Sequence, residues 1–394
     1  MKRKICFLTD SIFTIGGVQR VTAVVAKELS HRHEVTVVTF DAPDEADCSL
    51  YGLDASTIAF RFIRYPSVPL LERFCCKAYS AVYRKLRLPW RWASNLYALS
   101  SLPSPLRRCL TDELQRGGYD VVVGVHAPLA VRLATVSRCL PGVKTIGWIH
   151  NSFEALYGAG SLYIGPELRR HYVWQLQRLD EVVVLSRHDA EAYQRQDARL
   201  QPRVVSNPLT LNPGPRSEGT SKRFLAVGRF SHRHKGFDLL IEAFHLFARQ
   251  NDEWTLDIVG EGPEEPLYRE LIARYGLERR VRLHPFTPNV QQYYSAAQVY
   301  VLSSRWEGFG LVLIEAMAHG LPVVSSDLPT SREIMGDHAL YFSNGNVEEL
   351  ARRLQDATRI DWRRCSDEAL EVARRFSAGD IMQQWEQLLT SEKM

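Results

Sequence analysis

The 394-residue chain is predicted to fold into two α/β domains, each a doubly wound parallel sheet, that face each other across a cleft. Three observations predict this class. Short runs rich in β-branched residues alternate with helical segments, these runs lack strict polar alternation, and a polar segment rich in proline and glycine divides them into two sets. Such runs are typical of strands buried on both faces, and strand–helix alternation is typical of parallel sheets.

Five candidate strands lie in the first half, and helices are expected between several of them, for example at residues 18–30 and 128–140. These strands are KICFLTD, EVTVVTF, YDVVVGV, KTIGWIH and EVVVLS. The second half repeats the pattern, with helices expected at 237–249 and 264–275. Its strands are RFLAVGR, WTLDIVG, RVRLHPF, VYVLSS and LPVVSSD.

The domain boundary is expected at the polar segment SNPLTLNPGPRSEGTSKR, residues 206–223. Prolines and glycines in a polar stretch are typical of a linker, because they interrupt both helices and strands. We therefore expect one domain at residues 1–206 and a second at residues 207–378.

Composition and cysteine content indicate a soluble protein of a reduced, cytoplasmic compartment. Hydrophobic residues make up 45% and charged residues 24% of the chain. No stretch reaches the roughly 20 apolar residues of a membrane-spanning helix. Asp10 interrupts the first apolar run, so a strand is expected there and not an export signal. Seven cysteines without a C-x-x-C pair argue against a disulfide framework and a zinc site.

Basic residues are concentrated in one region. Ten basic residues between positions 61 and 108 stand against one acidic residue, Glu72. Within residues 73–97, cations alternate with aromatic side chains, a pattern that predicts docking on an anionic membrane surface. These residues are Lys77, Arg84, Lys85, Arg87 and Arg91 with Tyr79, Tyr83, Trp90, Trp92 and Tyr97. The alternative is an ordinary helix with a basic outer face. No nucleic acid is expected, because no nucleic-acid motif is present and the net charge is only +4.

Unusual loops follow several predicted strands, where ligands of open α/β sheets bind. In FTIGGVQR, Gly16 and Gly17 precede a helix, and the free N–H groups of a helix start suit a phosphate. The alternative is a plain tight turn. His150 ends the strand KTIGWIH and is predicted to be functional, although a lone histidine is more often structural.

The stretch VGRFSHRHKGFDLL contains a candidate diphosphate site. Arg229 and Lys235 flank a strand-to-helix loop and would supply two fixed cations. The alternative is a solvated basic loop, an interpretation that suits the neighbouring His232, Arg233 and His234.

Two glutamates in EGFGLVLIEAMAHGLPVVSSD need an explanation, because a carboxylate in apolar surroundings is costly to desolvate. Gly308 and Gly310 expose N–H groups at a helix start, which is a further anion site. A phosphate would repel Glu307 and Glu315 unless each accepts hydrogen bonds from hydroxyl groups. We therefore expect both glutamates to hold polyols, such as a sugar and a ribose.

With these motifs, nearly the whole chain resembles the retaining glycosyltransferases of family 4, which have the GT-B architecture of two Rossmann-like domains. The Glu-x7-Glu pair is the most specific mark. The resemblance implies that Gly16 and Gly17 lie against the donor diphosphate or the transferred sugar, and that His150 hydrogen-bonds this sugar. It also implies that Arg229 and Lys235 neutralise the leaving diphosphate.

By the same resemblance, Glu307 contacts the sugar hydroxyls, Glu315 holds the ribose, and Asn207 is a donor contact at the domain junction. It further implies that Pro285 and Phe286 flank the nucleobase and that the amides of Phe309, Gly310 and Leu311 meet the phosphates. Two more glycines at strand ends, Gly260 in the turn GEGPEE and Gly308, are also expected to contact the donor. The family's C-terminus returns to the first domain, so the apolar helix at 379–394 is expected to pack there.

The expected activity is retaining transfer of a hexose from a nucleotide-diphosphate sugar, a UDP-sugar, to a glycan or polyprenyl-diphosphate-linked acceptor in bacterial surface polysaccharide assembly. No cofactor is expected. No metal is expected either, because the chain lacks the Asp-x-Asp pair that binds one in many sugar-nucleotide enzymes. The alternatives are a nucleotide-sugar 2-epimerase of the same fold and a non-enzymic sugar-nucleotide or polyanion-binding protein.

Overall fold

The computed structural model describes residues 2–159, 161, 163–231 and 234–391. The chain divides into two compact units, of which the first is Met1–Pro208 with Ala378–Met394 and the second is Leu209–Ser377. Each unit is built on one parallel sheet. The predicted class of two parallel-sheet α/β domains is therefore confirmed.

The first unit contains a seven-stranded sheet with the order β3-β2-β1-β4-β5-β6-β7, in which all neighbours are parallel. Its strands are β1 (Lys4–Thr9), β2 (Glu34–Thr39), β3 (Ile58–Phe62), β4 (Val121–Val125), β5 (Lys144–Trp148), β6 (Glu181–Val184) and β7 (Arg203–Val204). Its helices are α1 (Gly17–Ser30), α2 (Leu70–Leu86), α3 (Arg91–Ser101), α4 (Ser104–Gly117), α5 (Ala127–Val136), α6 (Phe153–Tyr157), α7 (Arg169–Leu176) and α8 (Arg187–Gln196).

The second unit contains a six-stranded parallel sheet with the order β10-β9-β8-β11-β12-β13. Its strands are β8 (Arg223–Val227), β9 (Thr255–Val259), β10 (Val281–His284), β11 (Val299–Leu302), β12 (Val323–Ser326) and β13 (Ala339–Phe342). Its helices are α9 (Phe237–Ala248), α10 (Glu265–Arg274), α11 (Gln291–Ala296), α12 (Leu311–Ala318), α13 (Pro329–Met335), α14 (Val347–Ala357) and α15 (Trp362–Arg374).

The strand order reverses once in each sheet, between β1 and β4 in the first unit and between β8 and β11 in the second. The loops leaving two neighbouring strands run to opposite sides at such a point, which opens a crevice for a ligand. The loops after β8 and β11 carry most of the candidate site residues of the second unit.

All ten predicted strands are present, including the edge strand β10. The three further strands in the described part of the chain, β3, β7 and β13, each lie at an edge of a sheet. An edge strand pairs on one side only and needs fewer apolar residues than a central strand. Strand β3, for example, is completely buried only at Ile58. Apolar runs therefore predict the middle of each sheet better than its rim.

The segment at 206–223 is not a free linker, which corrects the interpretation of its composition. The chain passes from one unit to the other after Pro208, and the residues that follow pack on the second unit. Gly214 N–H donates to His319 Nε2 at 3.0 Å, Ser217 N–H donates to His319 O at 3.0 Å, and Arg216 pairs with Asp367 at 2.8 Å.

The C-terminal helix α16 (Ala378–Thr390) belongs to the first unit. Trp385 is completely buried and packs edge-on against Trp148 of β5, with ring centroids 4.7 Å apart. At the end of the helix, Lys144 Nζ donates to Leu388 O at 2.7 Å and to Ser391 O at 2.8 Å. A cation in this position satisfies carbonyls that the helix leaves unpaired.

We predict that Trp385→Ala destabilises the first unit by about 3–5 kcal/mol, because it removes a buried indole and leaves a cavity. Urea unfolding followed by far-UV circular dichroism measures this loss. The matched control is Gln383→Ala, an exposed position on the same helix, which should change stability by less than about 0.5 kcal/mol. Equal stability of the two variants would contradict the packing described for α16.

Candidate active site

Two loops of the second unit are held together where its strand order reverses. The loop after β8 accepts two hydrogen bonds from the loop after β11: Arg305 N–H donates to His234 O at 2.8 Å, and Ser303 Oγ donates to Lys235 O at 2.7 Å. Gly236 has φ +62, and a Cβ there would lie 2.0 Å from Ser303 O. Only glycine allows this approach.

The loops bring two predicted residues into direct contact. Lys235 Nζ lies 2.6 Å from Glu307 Oε1, and Ser304 Oγ donates to the same oxygen at 2.6 Å. The Glu307 residue is 7% exposed. Burial alone would raise the pKa of Glu307, but the charge and hydrogen bond of Lys235 outweigh it, so the pKa lies below its usual value. The pair is therefore a buried ion pair.

The solvated-loop interpretation is wrong for His234. Its ring stacks on Trp306 with centroids 4.7 Å apart, and its Nε2 lies 2.5 Å from Trp306 O. Burial lowers the pKa of His234. The neighbouring His232 and Arg233 lie outside the described residues. His234 therefore supports the loop that holds Lys235 and does not extend the basic surface.

The stem of Lys235 lies across Gly228, where a Cβ would meet Lys235 Cε and Cγ at 2.9 Å. Gly260, which follows β9, lies close to the backbone of Gly228, since a Cβ on Gly260 would lie 1.9 Å from Gly228 O. Arg229 follows β8 and is exposed. Pro285 and Phe286 directly follow β10 and are also exposed.

Helix α12 begins shortly after Glu307 in the sequence. Its N-cap residue Gly310 has φ +91, and Gly308 and Phe309 lead into it from Glu307. Phe309 is buried against Phe376, while Leu311 opens the helix. N–H groups at a helix start lack intrahelical partners and carry the positive end of the helix dipole. This start can bind an anion.

Glu315 lies inside α12 in a buried polar network. Tyr294 OH donates to its Oε2 at 3.0 Å, and Thr210 Oγ1 donates to its Oε1 at 3.4 Å. His319 stacks on Tyr294 and its Nδ1 lies 2.7 Å from Glu315 O. The sequence analysis missed Tyr294, Thr210 and His319, because no local pattern connects three residues so far apart in the chain.

In the first unit, His150 follows β5 and is 4% exposed. Neither of its ring nitrogens has a hydrogen-bond partner in the part of the chain that the structure describes. The pKa of His150 lies well below its usual value because burial disfavours the charged ring. The buried Asn207 Oδ1 also lacks a partner among the described residues. Buried polar groups are rarely left without a partner, so these atoms are candidates for contact with a ligand.

The glycine loop of the first unit is tied to its own surroundings. Gly16 N–H donates to Tyr51 OH at 2.9 Å, and Tyr51 OH donates to Thr14 O at 2.8 Å. Gly16 is the N-cap of α1, and Gly17 is its first residue. The amide of Gly16 therefore already has a partner, which the sequence did not show.

The basic segment forms a hairpin of α2 and α3. The interpretation of its tyrosines as interfacial is wrong: Tyr83 and Tyr97 are buried and stack with centroids 4.5 Å apart, and Tyr79 OH donates to Ala93 O at 2.9 Å. Tyr79 and Tyr83 of α2 contact α3, where Tyr79 bonds to Ala93 and Tyr83 packs on Tyr97. Trp90 and Trp92 remain exposed. None of the helices described is long and apolar enough to cross a bilayer.

Comparison with solved structures shows the class to which the fold belongs. Anabaena HepE in complex with UDP and glucose matches 99% of this chain and 100% of its own, with a TM-score of 0.75 and 21% sequence identity. At this identity the likeness shows the fold alone. The two parallel-sheet domains are those of the GT-B glycosyltransferases.

Sequence comparison shows the family. The family model described as Glycosyltransferase Family 4 matches residues 15–212, half of the chain, and the one described as Glycosyl transferases group 1 matches residues 211–369. The amylovoran biosynthesis glycosyltransferase AmsD of Erwinia amylovora is 30% identical over 346 residues, 85% of this chain and 84% of AmsD. An uncharacterized glycosyltransferase of Haemophilus influenzae is 28% identical over 311 residues, 75% of this chain and 85% of its own.

The chain therefore belongs to glycosyltransferase family 4, and it is a glycosyltransferase. The resemblance drawn from the Glu-x7-Glu pair is confirmed at the level of family and enzyme class. These matches do not favour an epimerase or a non-enzymic binding protein.

Proposed function

We propose that this enzyme transfers a hexose from a UDP-sugar to a hydroxyl of a glycan or polyprenyl-diphosphate-linked acceptor, with retention, in bacterial surface polysaccharide assembly. The buried Lys235–Glu307 pair carries this proposal, because it sets a cation and a carboxylate side by side at the strand reversal. A sugar diphosphate needs both, the cation for its phosphate and the carboxylate for its hydroxyls.

The charged groups of the second unit support the binding of a nucleotide-sugar donor there. Lys235, Arg229 and the start of α12 at Gly310 offer positive charge near the ends of β8 and β11. Glu307 and Glu315 offer carboxylate oxygens on either side of that helix start. The donor would then place its diphosphate against the cations, its hexose near Glu307 and its ribose near Glu315. Solved HepE complexes contain UDP and UDP-glucose, which favours uridine as the base.

The configuration at sugar C1 is retained if the bond to the phosphate breaks and the bond to the acceptor forms on the same face of the sugar. The bond between sugar C1 and the phosphate oxygen breaks, the acceptor oxygen bonds to C1 on the same face, and the acceptor proton passes to the departing phosphate oxygen. No enzymic nucleophile takes part. Catalysis would then consist of positioning and of stabilising the leaving group's negative charge by Lys235 and Arg229.

The first unit has polar atoms of its own that could bind a sugar. His150 and Asn207 carry buried polar atoms without partners among the described residues, and both suit a sugar hydroxyl. The setting is supported by relatives: AmsD is an amylovoran biosynthesis glycosyltransferase, and a Rhizobium meliloti relative is a mannosyltransferase of lipopolysaccharide core biosynthesis.

We predict that Glu315→Gln mainly raises KM for the donor, because ribose contacts are equal before and during the reaction. Glu307→Gln should lower kcat by roughly 10²-fold, because its contacts lie at the sugar whose bond breaks. Initial rates with a panel of UDP-sugars, chosen by protection against thermal unfolding, measure both effects.

We also predict that sugar transfer persists in excess EDTA, because Lys235, Arg229 and the start of α12 would neutralise the leaving diphosphate without a metal.

The control for these variants is Glu278→Gln, which removes an exposed carboxylate from the same unit and should leave both constants unchanged. Wild-type kinetics in Glu307→Gln would refute its role. No protection and no transfer with any UDP-sugar would refute the donor, and activity restored to an EDTA-treated enzyme only by magnesium or manganese would refute metal-free transfer.

We further propose that the hairpin of α2 and α3 docks on an anionic membrane surface through residues 73–97 and their neighbours. The beginning of α2 exposes apolar side chains: Leu70 is 83%, Leu71 77% and Phe74 71% exposed. Exposed Lys77 and Arg84 lie beside these side chains in the helical repeat. An interfacial helix combines such apolar side chains with cations, each adding about 1 kcal/mol near anionic lipid.

We predict that the protein floats with vesicles of anionic phospholipid and that Leu71→Ser with Phe74→Ser abolishes flotation without changing Tm. The substituted side chains are exposed, so the folded state loses little packing. Tyr163→Ser, which removes an exposed aromatic ring outside the hairpin, is the control. Equal, negligible flotation with anionic and neutral vesicles would contradict the proposal.

A further inference from the structure

His126 lies at the reversal of strand order in the first sheet. It directly follows β4, which neighbours β1 at the centre of the sheet. Ligands of open α/β sheets bind beyond the strand ends at this reversal. The position is equivalent within the first unit to that of the Lys235 and Glu307 loops within the second. The sequence analysis did not single out His126.

The backbone of His126 is strained. Its φ is +74 and its ψ is 154, a region that essentially only glycine adopts. Two hydrogen bonds hold it there: His126 N–H donates to Trp148 O at 2.9 Å, and Ala130 N–H donates to His126 O at 2.9 Å. The side chain makes no capping hydrogen bond to α5. Helix capping therefore does not explain a histidine where glycine would be relaxed.

A second imidazole, that of His150, lies next to the His126 ring. The rings of His126 and His150 have centroids 5.5 Å apart, and both nitrogens of the buried His150 lack partners among the described residues. Burial lowers the pKa of both histidines. A neutral imidazole donates one hydrogen bond and accepts another, which matches a hydroxyl group and gives no charge to attract a phosphate.

We propose that His126 is a second substrate-contacting residue, which with His150 binds a hydroxyl-bearing part of the sugar substrate at the reversal of the first sheet. This inference rests on the proposed sugar transfer and deepens it. Strain of this kind persists where function requires a side chain that the backbone does not favour. The imidazole ring, and not the backbone conformation, therefore accounts for a histidine at this position.

His126→Gly separates the two properties, because it relaxes the backbone and removes the ring. We expect Tm to rise by roughly 2–4 °C. We expect kcat/KM to fall roughly tenfold, which corresponds to about 1.4 kcal/mol. Added imidazole should restore part of the rate. His126→Asn should retain more activity than His126→Gly, since asparagine tolerates positive φ and keeps a donor and an acceptor.

Lys222→Gly is the matched control. Lys222 also has positive φ, +51, but it lies before the amino end of β8, away from the loops at the carboxyl ends. Its glycine variant should keep wild-type kinetics. Wild-type kcat/KM in His126→Gly would overturn the proposal, as would a loss of activity that accompanies a lower Tm.

Different results would overturn the proposed UDP-sugar donor and the proposed substrate contact of His126. A wild-type enzyme that transfers nothing from UDP-sugars would overturn the proposed donor. The contact of His126 is then decided by binding, with protection against thermal unfolding by free sugars and nucleotide sugars compared between wild type and His126→Gly. Reduced protection in the variant supports the contact, and equal protection overturns it.

Discussion

The ion pair of Lys235 and Glu307 is the constraint around which the second unit's loops are arranged. The two residues are separated by 72 positions, yet Nζ and Oε1 lie 2.6 Å apart and the carboxylate is almost completely buried. Neither charge is tolerable alone in such a place, because the desolvation cost of a buried ion is several kcal/mol. The hydrogen bonds between the loops after β8 and β11 therefore have a common effect, which is to keep the two charges together.

A pair of this kind suits a glycosyltransferase better than a free cation would. A lysine held by a carboxylate and by the backbone has little freedom to lose when a diphosphate arrives, so positioning is largely complete before binding. The carboxylate keeps lone pairs for sugar hydroxyls. In the first unit, His126 and His150 also occupy strand ends near a reversal, but there burial favours neutral rings.

Most of the fold could be predicted from sequence, because central strands need continuous apolar runs and the runs are plain. Three of the four edge strands, β3, β7 and β13, could not, since one-sided pairing relaxes that requirement. Glu307 and Lys235 could each be predicted from their loops. Their direct contact could not, because it depends on Gly236 letting the β8 loop approach Ser303. The strain at His126 is a property of backbone angles and leaves no compositional signal.

Double-variant analysis of the ion pair tests this interpretation most directly. Urea unfolding and transfer rates are measured for Lys235→Met, Glu307→Gln and the combined variant. We expect Lys235→Met to cost about 3–5 kcal/mol, because it leaves a buried carboxylate unpaired. The combined variant should recover most of this stability and none of the turnover. A combined variant as unstable as Lys235→Met, or one that transfers sugar at the wild-type rate, would contradict the central role of the pair.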